Sequence, residues 1–214
     1  SLLDYMSVVE KAPTLGINDI KWQLSKKKRA EVKAAKKFII TSAMNNCEIA
    51  PDLWAALKLY AKKTKACILV VPSRYKNPTN RVDGQIMDDN AWWPSEVHAH
   101  MTDNLVKLHK HLWLMAQVKM TATASNPLTG LEALSRGASA IFGHPQVAMK
   151  TVPTPQHHLP KMLHTTGSCT LPKYSETKAG IRGEFHHTLG ALVVERDGSR
   201  FHCRTVSADD SGGF

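Results

Sequence analysis

The residues best equipped for chemistry lie in GEFHHTLGALVVERDGSRFHCRTV, residues 183–206, where His186 and His187 are adjacent and Glu184 precedes them by two positions. The alternation around them predicts a β-hairpin beginning at residue 186, with Asp197-Gly198 as its turn. On a strand, neighbouring side chains point to opposite faces, so His186 and His187 cannot jointly hold one metal ion. Glu184 and His186 would share a face, as a metal pair or a general base with its partner. His144, in Gly143-His144-Pro145, sits in a turn from which it could reach a neighbouring site. The competing reading makes these histidines ordinary hydrogen-bonding residues, one packed inward and one on the opposite face. The chain has no H-E-x-x-H, P-loop or G-x-S-x-G pattern, so no catalytic residue and no metal ligand is assigned.

Weaker signals surround these. His98-Ala-His100 and His109-Lys-His111 would each align two imidazoles if extended, as nicking enzymes do with metal ligands. The first pair lies in a polar region and the second has a lysine between its members. Residues 166–180, TGSCTLPKYSETKAG, hold small hydroxyl residues that could cradle a phosphate. Cys47, Cys67, Cys169 and Cys203 form no C-x-x-C pair and read as reduced, partly buried thiols.

Charge is the stronger clue. The 214 residues carry a formal charge of +10, from 28 Lys and Arg against 18 Asp and Glu. Residues 26–37, KKKRAEVKAAKK, hold seven basic residues and one Glu, supplying +6 of that total. Lys26, Lys27, Lys28, Arg29, Lys33, Lys36 and Lys37 therefore read as a site for a polyanion, DNA or RNA, with a solvated linker as the plain alternative. In a continuous helix, Lys26, Arg29, Lys33 and Lys36 would line one face.

The elements that must position these groups follow from periodicity. Leu2, Leu3, Met6 and Val9 recur at helical spacing, and a basic helix resumes after APTLG, a weak helix-turn-helix outline. KFIITSAM reads as a buried strand, PDLWAALKLYAKKTK as a helix with Pro51 at its first position, and ACILVVPSRY as a second strand ending at Pro72. Together they make a βαβ unit with parallel strands. Residues 72–96 then run long without period, leaving the carboxyl end of a strand, where open α/β sheets place ligands. Arg74, Tyr75, Lys76, Arg81, Trp92 and Trp93 lie there, cations interleaved with aromatics as single-stranded nucleic acid requires; the alternative is that the tryptophans anchor the loop. Residues 111–123 read as a strand and 126–137 as a short helix. Residues 138–154 supply two short strands around the Gly-His-Pro turn. The expected fold class is α/β: a mixed central sheet with a βαβ unit and a C-terminal antiparallel hairpin, 186–206. A basic helical segment, 1–37, precedes an α/β domain, 38–206, and 207–214 is a flexible tail or the start of another module. No apolar run reaches the roughly 18 residues of a membrane span, and the first residues lack the features of a signal peptide.

The phrases RYKNPT, NPLTGL, FGHP, TVPTP, TTGSCTLPKYS and EFHHTLGALVVE lie within residues 36–206. Through them the chain resembles the region preceding the catalytic domain in bacteriophage proteins with a calcineurin-like metallophosphoesterase domain. Those proteins are related to phage DNA-transfer and host-DNA-degradation proteins. The resemblance implies a connection with DNA and the cytoplasm of an infected bacterial host. It implies no cofactor within this chain, and a divalent metal if a catalytic module follows, since that family's metal ligands would lie beyond residue 214. Three functions stand open: a domain that positions nucleic acid for a metallophosphoesterase-type nuclease; a metal-dependent phosphoesterase or nuclease using Glu184, His186 and His144; and a phage module that binds a host or phage protein during host takeover.

Overall fold

The computed structural model describes residues 22–75, 81–82, 85–86 and 91–209. The first elements among the described residues are helix α1, Lys26–Ala34, strand β1, Lys37–Met44, helix α2, Pro51–Thr64, and strand β2, Cys67–Ser73. The βαβ expectation holds: β1 and β2 pair in parallel, with Phe38 opposite Cys67 and Met44 opposite Ser73. Helix α2 obeys its local rules, with Pro51 in the first turn, Asp52 near the positive end and Lys62 and Lys63 near the negative end. Lys65, left-handed at φ 55°, ends it. Pro72 lies within β2 rather than stopping it at that residue.

Strands β10, Gly190–Asp197, and β11, Arg200–Ser207, form the C-terminal hairpin. They complete a four-stranded sheet ordered β11-β10-β1-β2, in which β10 runs antiparallel to β1. A second sheet holds β5, Leu105–His109, β6, Leu112–Met115, β7, Ser139–Phe142, β8, Met149–Val152, and β9, Lys161–Thr165. Its order is β5-β6-β7-β9-β8, with β6, β7 and β9 parallel and the two edge strands antiparallel to their neighbours. Between the sheets in sequence lie the two-residue strands β3, Arg81–Val82, and β4, Gln85–Ile86, and the single-turn helix α3, Ser95–His98.

Side-chain alternation decides the layers. On β1, β2 and β10, Ile39, Ile68, Val70 and Val193 face α2 and meet Leu53, Trp54 and Leu57. Their neighbours Phe38, Ile40, Leu69, Val71, Leu192 and Val194 face the second sheet and meet Leu108, Leu112, Leu114 and Ile141. Strands β1, β2 and β10 are thus buried on both faces, which is why they read as largely unbroken apolar runs, while the edge strand β11 stays mostly exposed. The second sheet's outer face, Ala140, Phe142 and Leu163, is covered by Leu128 and its neighbours. The basic segment belongs to the same core, because Val32 of α1 packs among the residues between the sheets.

Three expectations change. Residues 126–137 form successive turns rather than a helix: Pro127 disfavours a helical residue before it, and Gly130 (φ +77°) and Arg136 (φ 52°) are left-handed. Of residues 111–123, only Leu112–Met115 is strand. The hairpin begins at Gly190, not at residue 186, because helix α4, Lys178–Phe185, occupies the preceding residues. Thr177 caps α4 by accepting the Gly180 amide at 3.1 Å. His186 and His187 then close it, donating their amides to the carbonyls of Arg182 and Glu184.

Candidate functional site

The carboxyl ends of β1, β2, β7 and β9 meet at one end of the molecule and collect polar side chains there. After β9 the chain crosses from the second sheet to the first, and the amide of Ser42 donates to Gly167 O while the Cys169 amide donates to Ser42 O. Thr166, Ser168 and Thr170 are completely buried in this crossing. Their hydroxyls are used internally: Thr166 Oγ1 donates to Gly167 O at 2.8 Å, Ser168 Oγ meets Thr170 Oγ1 at 2.9 Å, and Thr170 Oγ1 accepts the Met44 amide at 2.9 Å. Residues 166–170 therefore strap the two sheets together rather than cradle a phosphate.

Beside this strap His144 is buried, with Nδ1 accepting the Gln146 amide and Nε2 donating to Thr121 O at 3.1 Å. His187 donates from Nε2 to Thr170 O at 2.8 Å and meets Tyr174 Oη at 2.9 Å through Nδ1. A carbonyl only accepts, so both rings carry a proton on Nε2, and the amide that His144 Nδ1 accepts makes that ring the neutral Nε2–H tautomer. Burial holds both pKa values down, and the mutual repulsion of the two imidazolium charges lowers that of His187 further. Tyr174 is pushed upward by burial, and the buried Cys47 thiol is pushed up to about 11. A nucleophile needs the opposite shift or an adjacent free base. This cluster is a hydrogen-bond network that fixes the strand ends, with Ser73 Oγ and Gln146 Oε1 buried at its edge without a partner among the described residues.

His186 and His187 are on no strand, so the opposite-face argument gives way to helix-end geometry. His187 nevertheless turns inward with partners on both nitrogens, and His186 is half-exposed beside Phe185. Glu184 and His186 lie at the end of α4 instead of on one face of a strand. His98 and His100 flank the end of α3 and are not extended, and His109 and His111 straddle the β5–β6 turn with ring centroids 5.6 Å apart. Among the described residues, no group of three or more His, Cys, Asp or Glu is placed to hold a metal.

Of the aromatic-basic loop, the described residues Arg74, Tyr75 and Trp93 are engaged with the rest of the structure. Trp93 is only 3% exposed and donates from Nε1 to Ala43 O at 2.9 Å, so it anchors the loop and offers no stacking face. The Arg74 guanidinium lies 5.7 Å from its ring centre, and Tyr75 Oη shares a 2.6 Å hydrogen bond with Ser175 Oγ. Trp92 is 46% exposed. Lys76 lies outside the described residues, and Arg81 is placed only by its backbone in β3.

The basic segment divides in two. Lys28 is 7% exposed and pairs with Glu31 at 3.0 Å, and Lys37 pairs across the sheet with Glu195 at 3.1 Å. Burial thus takes Lys28 out of the candidate polyanion site, and the helix ends at Ala34, so Lys36 does not share a helical face with Lys26, Arg29 and Lys33. Lys26, Lys27, Arg29, Lys33 and Lys36 remain exposed. Three lysines in the first turn of a helix oppose its dipole, so this charge is not there to support the helix.

Lys33 and Lys36 open onto a recess of about 810 Å³. Lys107, Lys110, His109 and Trp113 of the β5–β6 hairpin form another wall, with Arg196 and Gly198 completing it. Lys107 Nζ lies 5.1 Å from the Trp113 ring centre. A second recess of about 400 Å³, lined by Arg29, Lys33 and Lys107, joins on one side. A third of about 480 Å³ joins on the other, lined by Lys110, Trp113, Arg136, His157 and His158. Among the described residues, no Asp or Glu lines any of the three. This groove lies at the amino end of β1, opposite the strand-end cluster. The residues 105–113, LVKLHKHLW, alternate cations with aromatics just as residues 72–96 do, so the signal used for the loop was present here too.

Over 197 residues the chain is 32% identical to Protein A1 of Escherichia phage T5. The chain is similar to a bacteriophage protein. The match covers 86% of this chain and 34% of Protein A1, so the chain spans about a third of that relative's length. No protein-family model matches the chain, and no solved structure does. The phage side of the sequence resemblance is thereby supported; a metallophosphoesterase relationship receives no support from these matches. No helix among the described residues is long and apolar enough to cross a membrane.

Proposed function

We propose that this chain is a nucleic-acid-binding domain of a phage protein, and that the groove between α1 and the β5–β6 hairpin is its binding surface. The observation that carries this reading is the convergence of Lys33, Lys36, Lys107 and Lys110, distant in sequence, on one recess that no carboxylate lines among the described residues. Lysines gathered in one concavity repel each other and focus a positive field, and that repulsion is relieved when phosphates displace their counterions. An extension carried by the sequence resemblance alone is that the domain holds nucleic acid for a metallophosphoesterase-type nuclease.

The test compares two variants of equal charge. Changing Lys33, Lys107 and Lys110 to Gln, or Lys58, Lys62 and Lys63 on α2 to Gln, takes the formal charge from +10 to +7 in each case. The groove variant should lose most affinity for DNA or RNA and flatten its salt dependence by roughly two to three in the log–log slope. The α2 variant should stay near the unmodified protein. Equal losses would reduce the groove to a share of general charge, and no binding by any form would refute the reading. A protein-interaction role is favoured by one feature, Ile181 and Phe185, 60% and 82% exposed one turn apart on α4.

A further inference from the structure

Resting on the nucleic-acid reading, we infer that the groove takes a single strand in preference to a duplex, with Trp113 as the surface on which a base stacks. The charge lies in a recess rather than on a ridge or flat face. The phosphates of a stiff duplex lie on the outside of a cylinder and cannot follow the walls of such a recess, whereas a single strand bends into it.

Trp113 stands between two of the recesses and lines both. A strand running from Lys33 past Lys107 to Lys110 must therefore pass the indole. Its neighbours Leu112 and Leu114 are fully buried, which fixes the backbone of β6. The indole itself is half-buried, its Nε1 edge covered and its body packed against the Met115, Phe142 and Leu163 cluster, so the part that lines the recesses rests on a rigid support. Lys107 Nζ lies over the ring, so a base that stacks there takes the place the ammonium holds and leaves it free for the adjoining phosphate. Bases in a duplex already cover one another's faces, so an aromatic platform contributes nothing to duplex binding. An unstacked base gains from it regardless of sequence. Beyond Trp113 the third recess offers the exposed rings of His157 and His158, with centroids 6.4 Å apart, as further surfaces for the strand.

The experiment measures binding of labelled oligo-dT, oligo-U and a duplex of equal length to the whole chain at one salt concentration. The single strands should bind more tightly, and the oligo-dT and oligo-U arms separate DNA from RNA. Trp113→Leu, which keeps an apolar side chain but has no aromatic face, should weaken single-strand binding at least about fivefold, matching a stack at the low end of the measured range. Duplex binding should change less than about twofold on the same scale. Trp113→Phe should retain most of the single-strand affinity, and it serves as the informative variant if Trp113→Leu fails to fold. Duplex binding as tight as single-strand binding overturns the inference, as does an unaffected Trp113→Leu. Either result leaves the nucleic-acid reading intact provided the Lys33, Lys107 and Lys110 variant still loses binding.

Discussion

Arg196 reaches from β10 to the end of α1, and removing it should detach the helix that carries Lys33. Its Nε donates to Ala35 O at 2.8 Å and its Nη2 to Val32 O at 3.0 Å and Lys33 O at 2.7 Å, while Nη1 donates to Leu108 O. The first three are carbonyls that a helix leaves unsatisfied at its carboxyl end, and a cation there also meets the negative end of the dipole. The guanidinium lies 5.1 Å from the Phe38 ring centre, so the stem covers the core as well. In Arg196→Met the stem remains and the donors are lost. Lys33 O is exposed and regains water, but the bonds to Val32, Ala35 and Leu108 are partly buried. At about 1 kcal/mol for each of those three, the low end for a stranded buried acceptor, the loss is about 3 kcal/mol. Urea unfolding should show a lower midpoint at unchanged slope. Hydrogen exchange should show faster exchange in α1 than in the unmodified protein, with α2 unchanged by the substitution. Arg196→Lys should recover only part of the loss, since an ammonium cannot fork to both sides. A destabilisation below about 0.5 kcal/mol, the level of an ordinary surface change, would refute the argument that this side chain holds the helix.

His187→Ala should cost about 1–3 kcal/mol, because Thr170 O and Tyr174 Oη each lose a partner in a partly buried setting; a urea midpoint equal to that of the unmodified protein would contradict this. Acidification should destabilise the fold through its buried imidazoles. Burial depresses His100, His144, His164 and His187 below the usual value of 6.5. The unfolded chain then takes up protons before the folded one, so stability present above about pH 6.5 is lost as pH falls below it. Melting temperature should drop between about pH 7.5 and pH 5.5, and a rise over that window would contradict the neutral buried state.

The sequence by itself determined the parallel β1–α2–β2 unit, because its apolar runs, Pro51 and helical period all act within a few residues. It determined the final hairpin through the Asp197-Gly198 turn, and the excess of positive charge. It also determined that a basic helix would occur, since Ser25 accepts the Lys28 amide at 3.1 Å as a local cap. The start of that hairpin was legible less well: Thr177 was a cap signal for α4, but the alternation after Gly190 carried on visually into the histidines. Tertiary structure decided which cations face outward. Lys28 and Lys33 are five residues apart in one basic run, yet one is buried against Glu31 and the other lines a groove. Their difference depends on the side of α1 that meets the sheets, which Val32 and the reach of Arg196 from 164 residues away set together. Trp93 and Trp113 show the same division, since a tryptophan's burial follows from what packs over it. Only the close approach of α1 to the β5–β6 hairpin makes a recess, and contacts between segments so distant in the chain leave no local period to read.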